Sequence, residues 1–445
     1  MAQPNPAAAI ANIWQTPELW QKIKFTFMVL VIYRIGSHVP VPGVDVTVLQ
    51  TFFQSQQGGG GLLGLYDLFV GGALSRSTVF ALGIMPYISA SIFMQIAGAV
   101  FPQIEKLNKD EEGRKRVTQW SRYLTVALAV VQGYGFAMFL ESEMLQGAVL
   151  APGLMFRLQT TMFFTVGAIF VMWMGEQITE RGLGNGASLM IFFSIIQGFW
   201  PAIFGTFNMV SIGSVTVFGL LVLGVLMLAV VAGVVALTMA ARRIAIQIPQ
   251  RTMARGRMRE AAKNFIPLRI VSAGVMPIIF AQSFIVVPGA FAQFSGNQRM
   301  QAFADLFNPG TGLYYALSTV LIVFFTYFYT SIIFNPIDLA ENLKKQGGFI
   351  PGVKPGTHTA EYIDAVLSRI TLPGAIFLTA VALMPIWIAD RINVPFQFGG
   401  TSLLIVVGVA LDTMAQMQQH LLLRKYDGFM KKGRVRFRGR QTGGI

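Results

Sequence analysis

Apolar residues come in long unbroken runs along this chain, longer than a half-buried strand and too uniformly greasy for an amphipathic surface helix. Ten of these runs reach, or nearly reach, the roughly 20 residues a helix needs to cross a hydrocarbon layer. They are predicted over residues 24–41, 77–101, 120–140, 156–175, 187–207, 215–240, 270–294, 313–334, 370–389 and 398–417. A bilayer tolerates only structures that satisfy every backbone group internally, and runs of this length do so as helices. The pattern therefore predicts an all-α polytopic membrane protein with ten transmembrane helices.

Composition agrees with that reading. Of 445 residues, 54% are hydrophobic and only 12% charged, which is more apolar surface than one water-soluble core can hide. There is no cysteine, so disulfides and thiolate metal sites are excluded. Residues 1–21 lack the basic start, apolar centre and small-residue cleavage site of a removable signal, and the first span is expected to be retained.

Charge sets the orientation. Of the 34 Lys and Arg, 29 fall on one side of the ten spans, four (Arg76, Arg157, Arg299 and Arg391) on the other, and Arg34 lies within the first span. The positive-inside bias then puts both termini in the cytoplasm. Most basic loops serve as such topology signals and as contacts for anionic headgroups. Two are longer and more polar than that role needs, 241–269 and 335–369, the second carrying the turn-rich PGVKPG of residues 351–356. They read as docking surfaces for a large anionic or mixed-charge partner. The basic tail KKGRVRFRGR, residues 431–440, suits RNA and headgroups equally.

The chain also repeats itself. GIMPYI at 83–88 returns as GVMPII at 274–279, and GASLMI at 186–191 returns as GTSLLI at 400–405. The first pair falls in spans 2 and 7, the second in spans 5 and 10. A duplicated unit of five spans has its second copy inserted upside down, because five is odd. The expected architecture is two inverted five-helix halves, residues 1–210 and 211–423, followed by a basic cytoplasmic tail, 424–445. Such folds place their working site between the halves, near the membrane midplane.

No acidic residue sits mid-span, whereas ion-driven carriers usually keep charge there for work. His38, His358 and His420 are far apart in sequence, so no metal or catalytic cluster is expected. No GxxxxGK[ST] phosphate loop occurs, and GLGNG at 182–186 lacks dinucleotide spacing and reads as a flexible lead-in to span 5. No cofactor and no enzymatic activity are expected, and energy must come from outside the chain. A passive channel, a carrier for a neutral solute and a poreless scaffold all fit these residues.

Five longer stretches narrow the choice. RIGSHVPVPG (34–43), GGALSRSTVFALGIMPYISASI (71–92), MWMGEQITERGLGNGAS (172–188), FNPIDLAENLKKQGGFIPGVKPG (334–356) and VPFQFGGTSLLIVV (394–407) resemble the SecY family, central subunits of the Sec protein-conducting channel. The resemblance covers nearly the whole chain. It implies a clam-shell of two halves around an hourglass pore, which passes unfolded polypeptide across the cytoplasmic membrane and releases hydrophobic segments sideways into lipid.

Site by site, the resemblance implies a plug over residues 62–77, with Leu62, Leu65, Phe69, Gly71, Gly72, Ser75 and Arg76, fed by slack in QQGGGGLLG. It implies a pore ring of Ile84, Ile88, Ala187, Ile191, Ile279 and Ile405, and a lateral gate in which Ser91, Ile92 and Gln95 face Gln282 and Ser283. Pro86 and Pro277 are expected to bend the gate helices as matching hinges. Partner docking is expected at Arg242, Arg243, Arg251, Arg255, Arg257, Lys344, Lys345 and Lys354. The implied partners are SecE-like and SecG-like small membrane subunits, a SecA-like ATPase motor, the ribosome through its RNA, signal peptides, nascent chains and membrane lipids. Two positions depart from the family pattern. Lys354 stands where Arg is common and lacks its planar fork, and Ala187 stands where Ile is common.

Overall fold

A computed structural model of the chain describes residues 17–56, 61–212, 216–247, 264–270, 274–294, 298–392 and 400–432. The helices in chain order are α1 (Pro17–Gly36), α2 (Val46–Gln56), α3 (Leu62–Val70), α4 (Met85–Val100), α5 (Pro102–Lys109), α6 (Glu111–Leu140), α7 (Leu154–Arg181), α8 (Gly186–Ser211), α9 (Val217–Met239), α10 (Met276–Phe294), α11 (Gln298–Asp305), α12 (Gly312–Ile333), α13 (Pro336–Lys345), α14 (Thr357–Ile392) and α15 (Gly400–Lys432). Each of the ten predicted runs has its helix. Among the described residues eight helices are long and apolar enough to cross a membrane, and a ninth if α4 and α5, bent by 104°, count together. Helix α1 supplies the tenth run, its apolar character diluted by Glu18, Lys22, Lys24 and Arg34.

The second predicted span needs correction. Expected to be helical from residue 77, it is helical only from Met85. Residues 71–84 form turns instead, with Ser77 at φ 44° and Gly71, Gly72 and Gly83 at φ 71°, 77° and 54°. Their apolar side chains misled the run count: Ala73, Leu74, Phe80, Ala81 and Leu82 are buried in protein, which is where irregular backbone is tolerated at membrane depth.

The two prolines are a second correction. Pro86 lies in the first turn of α4 and Pro277 is the second residue of α10, where no intrahelical N–H bond is lost. They start their helices and do not bend them. Interior prolines occur elsewhere, at Pro201 in α8, Pro288 in α10, and Pro373 and Pro385 in α14.

Helices α4 and α6 of the first half pack against α10 of the second, and α8 packs against α15 on the other side. The short helix α3 lies between these seams, touching both α8 and α10. One continuous buried cluster runs through both halves and includes α3.

The all-α expectation holds for the membrane part and misses a small ribbon outside it. Strands β1 (Ala241–Ile246) and β2 (Asn264–Arg269) pair antiparallel within the first long basic loop. Gln247 and Phe349 exchange backbone hydrogen bonds of 2.9 and 3.0 Å, tying this ribbon to the second long loop. Ile244, Ile246 and Leu268 of the ribbon share a separate small core with Leu343, Ile350, Ile363 and Leu367. The two loops thus form one folded unit. Helix α14 reaches into it: its 36 residues extend about 54 Å, well past the predicted run 370–389. Helix α15 likewise continues to Lys432, so the first part of the predicted tail is helical.

Candidate functional site

The repeated hexamers fold alike. Gly83 and Gly274 both adopt positive φ, 54° and 59°. Two residues later each chain enters a helix through Met-Pro, and the same bond closes each first turn: Ile88 N donates to Ile84 O at 3.1 Å and Ile279 N to Val275 O at 3.2 Å. Gly186 and Gly400 are the first residues of α8 and α15. These four helix starts bring Ile84, Ile88, Ile191, Ile279 and Ile405 into one buried cluster, each 4% exposed or less. Ala187 is half-buried against the same cluster. Beside it opens a cavity of about 210 Å³ whose lining includes Ile88, Ala187, Ile191 and Ile279, together with Ser91 and Gln95.

Helix α3 packs into the same cluster. Leu62, Leu63, Tyr66, Leu68, Phe69 and Val70 are buried, while Leu65 is half-buried. Leu62 points into a separate pocket with Ile285 and Tyr314. The helix ends at Gly71 in left-handed conformation, which satisfies the carbonyls of Asp67 and Leu68. Asp67 then accepts from Ser75 N at 2.9 Å and folds the following turn back on the helix. Of the slack expected from QQGGGGLLG (56–64), residues 57–60 lie outside the described residues, and Leu62, Leu63 and Gly64 belong to α3.

Several contacts that hold α3 carried no sequence signal. Its first free N–H, at Leu62, donates to Asn308 Oδ1 at 3.1 Å, a cap supplied from the loop between α11 and α12, 246 residues away. At its far end Tyr33 Oη donates to Val70 O at 3.3 Å and also pairs with Ser194 of α8. Arg34 of α1 donates to Gln197 of α8. Arg76 donates to His38 Nε2 at 2.8 Å, which requires the neutral ring there, with Nδ1–H facing Arg34 O at 2.9 Å. Local spacing cannot reveal partners this remote. Replacing Asn308 with Ala is expected to weaken the seating of α3 by about 1 kcal/mol, since a half-buried N–H loses its acceptor. Single-channel recording checks it: brief openings at rest become several times more frequent.

The predicted gate residues divide. Helices α4 and α10 do pack together, with Ile92, Gln282 and Ser283 buried at 2%, 1% and 3% exposure and Ser91 half-buried. The glutamines do not pair across that seam. Gln282 donates to Tyr314 at 3.4 Å and Gln95 bonds Tyr329, both tyrosines belonging to α12. Ser283 bonds its own helix at Ile279 O. Of the polar side chains expected to face each other, the two glutamines thus each bond a tyrosine of α12.

Of the predicted docking residues, Arg242, Arg243, Lys344, Lys345 and Lys354 are exposed on the folded loop unit. Lys345 pairs loosely with Glu341 at 3.7 Å. Arg251, Arg255 and Arg257 lie outside the described residues. GLGNG is tied down and not a flexible lead-in: Leu183 N donates to Thr26 Oγ1 at 3.1 Å and Gly186 N to Thr179 Oγ1 at 2.9 Å. Among the described residues no group of three His, Cys, Asp or Glu could hold a metal.

Comparison with known proteins finds relatives along nearly the whole chain. The SecY family model matches residues 78–414. A protein translocase subunit SecY from Pseudomonas aeruginosa is 44% identical over 441 residues, covering 98% of each chain. The Escherichia coli (strain K12) protein of the same name is 41% identical, covering 95% of this chain and 96% of the other. Among solved structures, one described as a protein conducting channel superposes with a TM-score of 0.63 at 17% identity, covering 94% of this chain and 95% of that one. Canine Sec61 in a ribosome-channel complex superposes with a TM-score of 0.61 at 16% identity, with the same coverage.

Proposed function

Because this chain belongs to the SecY family, we propose a working cycle for it as the central subunit of a protein-conducting channel. It is a multi-pass membrane protein, set in the cytoplasmic membrane with both termini inside, as its basic loops direct. Unfolded polypeptide enters from the cytoplasmic side through the cavity beside Ile88 and Ile191, parts the aliphatic ring, displaces α3 and leaves on the far side. Hydrophobic segments exit between α4 and α10.

The observation that carries this reading is the burial of Ile88, Ile191, Ile279 and Ile405, from four helix starts in two halves, in one continuous cluster that also takes in α3. Aliphatic side chains offer an ion no partner, so water in the constriction is unstable and ions are held back. The same surface binds no cargo side chain tightly, so a chain can slide. Exit of α3 frees the space without breaking a membrane-spanning helix.

Energy comes from partners. A SecA-like motor or the ribosome docks on the folded basic unit, whose exposed Arg242, Arg243, Lys344, Lys345 and Lys354 suit mixed-charge protein or RNA phosphate. SecE-like and SecG-like subunits hold the halves from the lipid side. In proteoliposomes containing this chain and its small subunits, a signal-bearing precursor is expected to become protease-protected only when a SecA-like motor and ATP are both added. The channel without the motor hydrolyses no ATP. Saturable uptake of a small neutral solute, with no precursor protected, would replace this reading with the carrier.

A further inference from the structure

Each of the four central isoleucines lies five residues after a glycine: Gly83 and Ile88, Gly186 and Ile191, Gly274 and Ile279, Gly400 and Ile405. In every case the glycine stands at or just before the first turn of the helix that carries the isoleucine. At each of the four a methyl would come closer to a neighbour than ordinary contact, to backbone at two of them and to a side chain at the other two. A methyl at Gly186 would overlap the backbone carbonyl oxygen of Gly175 in α7, and one at Gly400 would overlap the carbonyl oxygen of Val381 in α14. In both repeats the helix start is pressed against the backbone of the preceding span. At Gly83 a methyl would meet Val70 Cγ1 of α3 at 2.9 Å, and at Gly274 it would meet Asp412 Oδ2 of α15 at 3.0 Å, both with positive φ. Here, too, the two repeats use one device.

Resting on the reading of these isoleucines as the seal, we propose that Gly83, Gly186, Gly274 and Gly400 are its positioning residues. They set where each helix begins, and so how far each isoleucine reaches into the constriction. The physical link is short. From Gly186 or Gly400 the five residues to the isoleucine are helix, a rigid strut of about 7.5 Å, while from Gly83 or Gly274 the helix begins two residues on. A backbone carbonyl cannot rotate away as a side chain can, so an added methyl at Gly186 or Gly400 must move the helix start itself. The isoleucine moves with it. At Gly83 and Gly274 the left-handed backbone adds a second constraint, since residues with a Cβ disfavour it. A close-packed seal has no slack to absorb such shifts.

The test uses the full chain assembled with its small subunits and reads ion conductance at rest in planar bilayers. Gly186→Ala and Gly400→Ala are expected to raise resting conductance by about tenfold, the change that a modest shift in the closed preference produces. Gly83→Ala and Gly274→Ala, whose methyls would meet side chains and not backbone, should leak as well, which keeps the test available if the other two variants fail to assemble. Gly113→Ala is the matched control. Its methyl would overlap the Leu107 carbonyl with equal severity, yet no central isoleucine follows it. It is expected to lose stability and stay silent. Gly312→Ala, facing nothing within 4 Å, is expected to change neither.

Ile405→Asn separates the two readings. If it leaks while the glycine variants stay silent, the positioning role is overturned and the seal stands. If neither leaks, the seal itself is wrong and the inference goes with it. A Gly113→Ala leak as large as that of Gly400→Ala would show general loosening and would also overturn the proposal.

Discussion

Deletion of residues 62–77 is expected to turn a channel that is silent at rest into one that flickers open, with open probability raised by at least about a hundredfold. The size of the effect follows from what α3 buries. Leu62, Leu63, Tyr66, Leu68, Phe69 and Val70 are all buried. Each fully buried apolar side chain of this size contributes about 1.5–3 kcal/mol relative to exposure. Six of them give about 9–18 kcal/mol, which overstates the bias, since the displaced segment keeps some contacts. Even a third of that is a large bias toward the closed state. The deletion removes the bias and leaves the aliphatic ring as the only barrier, so the expected trace is flickering and not steadily open. Planar-bilayer recording of intact and deleted protein, each with its small subunits, decides it. Silence from a correctly assembled deletion would remove α3 from the gating scheme.

That prediction joins what the sequence makes legible to what it hides. The ten runs are legible because a spanning helix must be apolar over most of its length, and the two repeated hexamers are legible because they lie in matching order. The start of α4 is not. Residues 77–84 are as apolar as a span, and only the left-handed backbone at Ser77 and Gly83 keeps them from helix. Composition reports burial here without reporting conformation. Pro86 and Pro277 misled for a related reason: both follow a left-handed glycine and open their helices, but a glycine three residues earlier is no rule, since Pro201, three after Gly198, lies inside α8. The folded unit on the two long basic loops was hidden because its core is seven buried residues drawn from two segments about a hundred residues apart. Partners of that kind, like Asn308 for Leu62 or Tyr314 for Gln282, are set by tertiary packing and leave no local period to read.

The ring itself gives the second large expectation. Ile279→Asn and Ile405→Asn should each leak ions at rest, by about tenfold or more, while Ile279→Val and Ile405→Val stay close to silent. The two kinds of change differ in chemistry more than in size. Valine removes one methylene from a buried site, at about 0.5–1.5 kcal/mol, and leaves the lining apolar. Asparagine brings an amide into a cluster where Ile279 and Ile405 are 3% and 0% exposed. A buried amide group without a partner costs about 1–3 kcal/mol, and the constriction relieves that cost by admitting water. Once wet, it passes ions. Pairing Ile88→Asn with Ile279→Asn tests whether these residues share one barrier. The two lie on α4 and α10, which pack together across the halves, so their effects should be less than additive: the first asparagine already wets the gap the second would open. Precursor transport should continue in all of these variants, because the ring holds back water and ions and makes no contact that the moving chain depends on. Loss of transport together with an unchanged resting seal would mean that the isoleucines grip cargo, and that the ion barrier lies elsewhere.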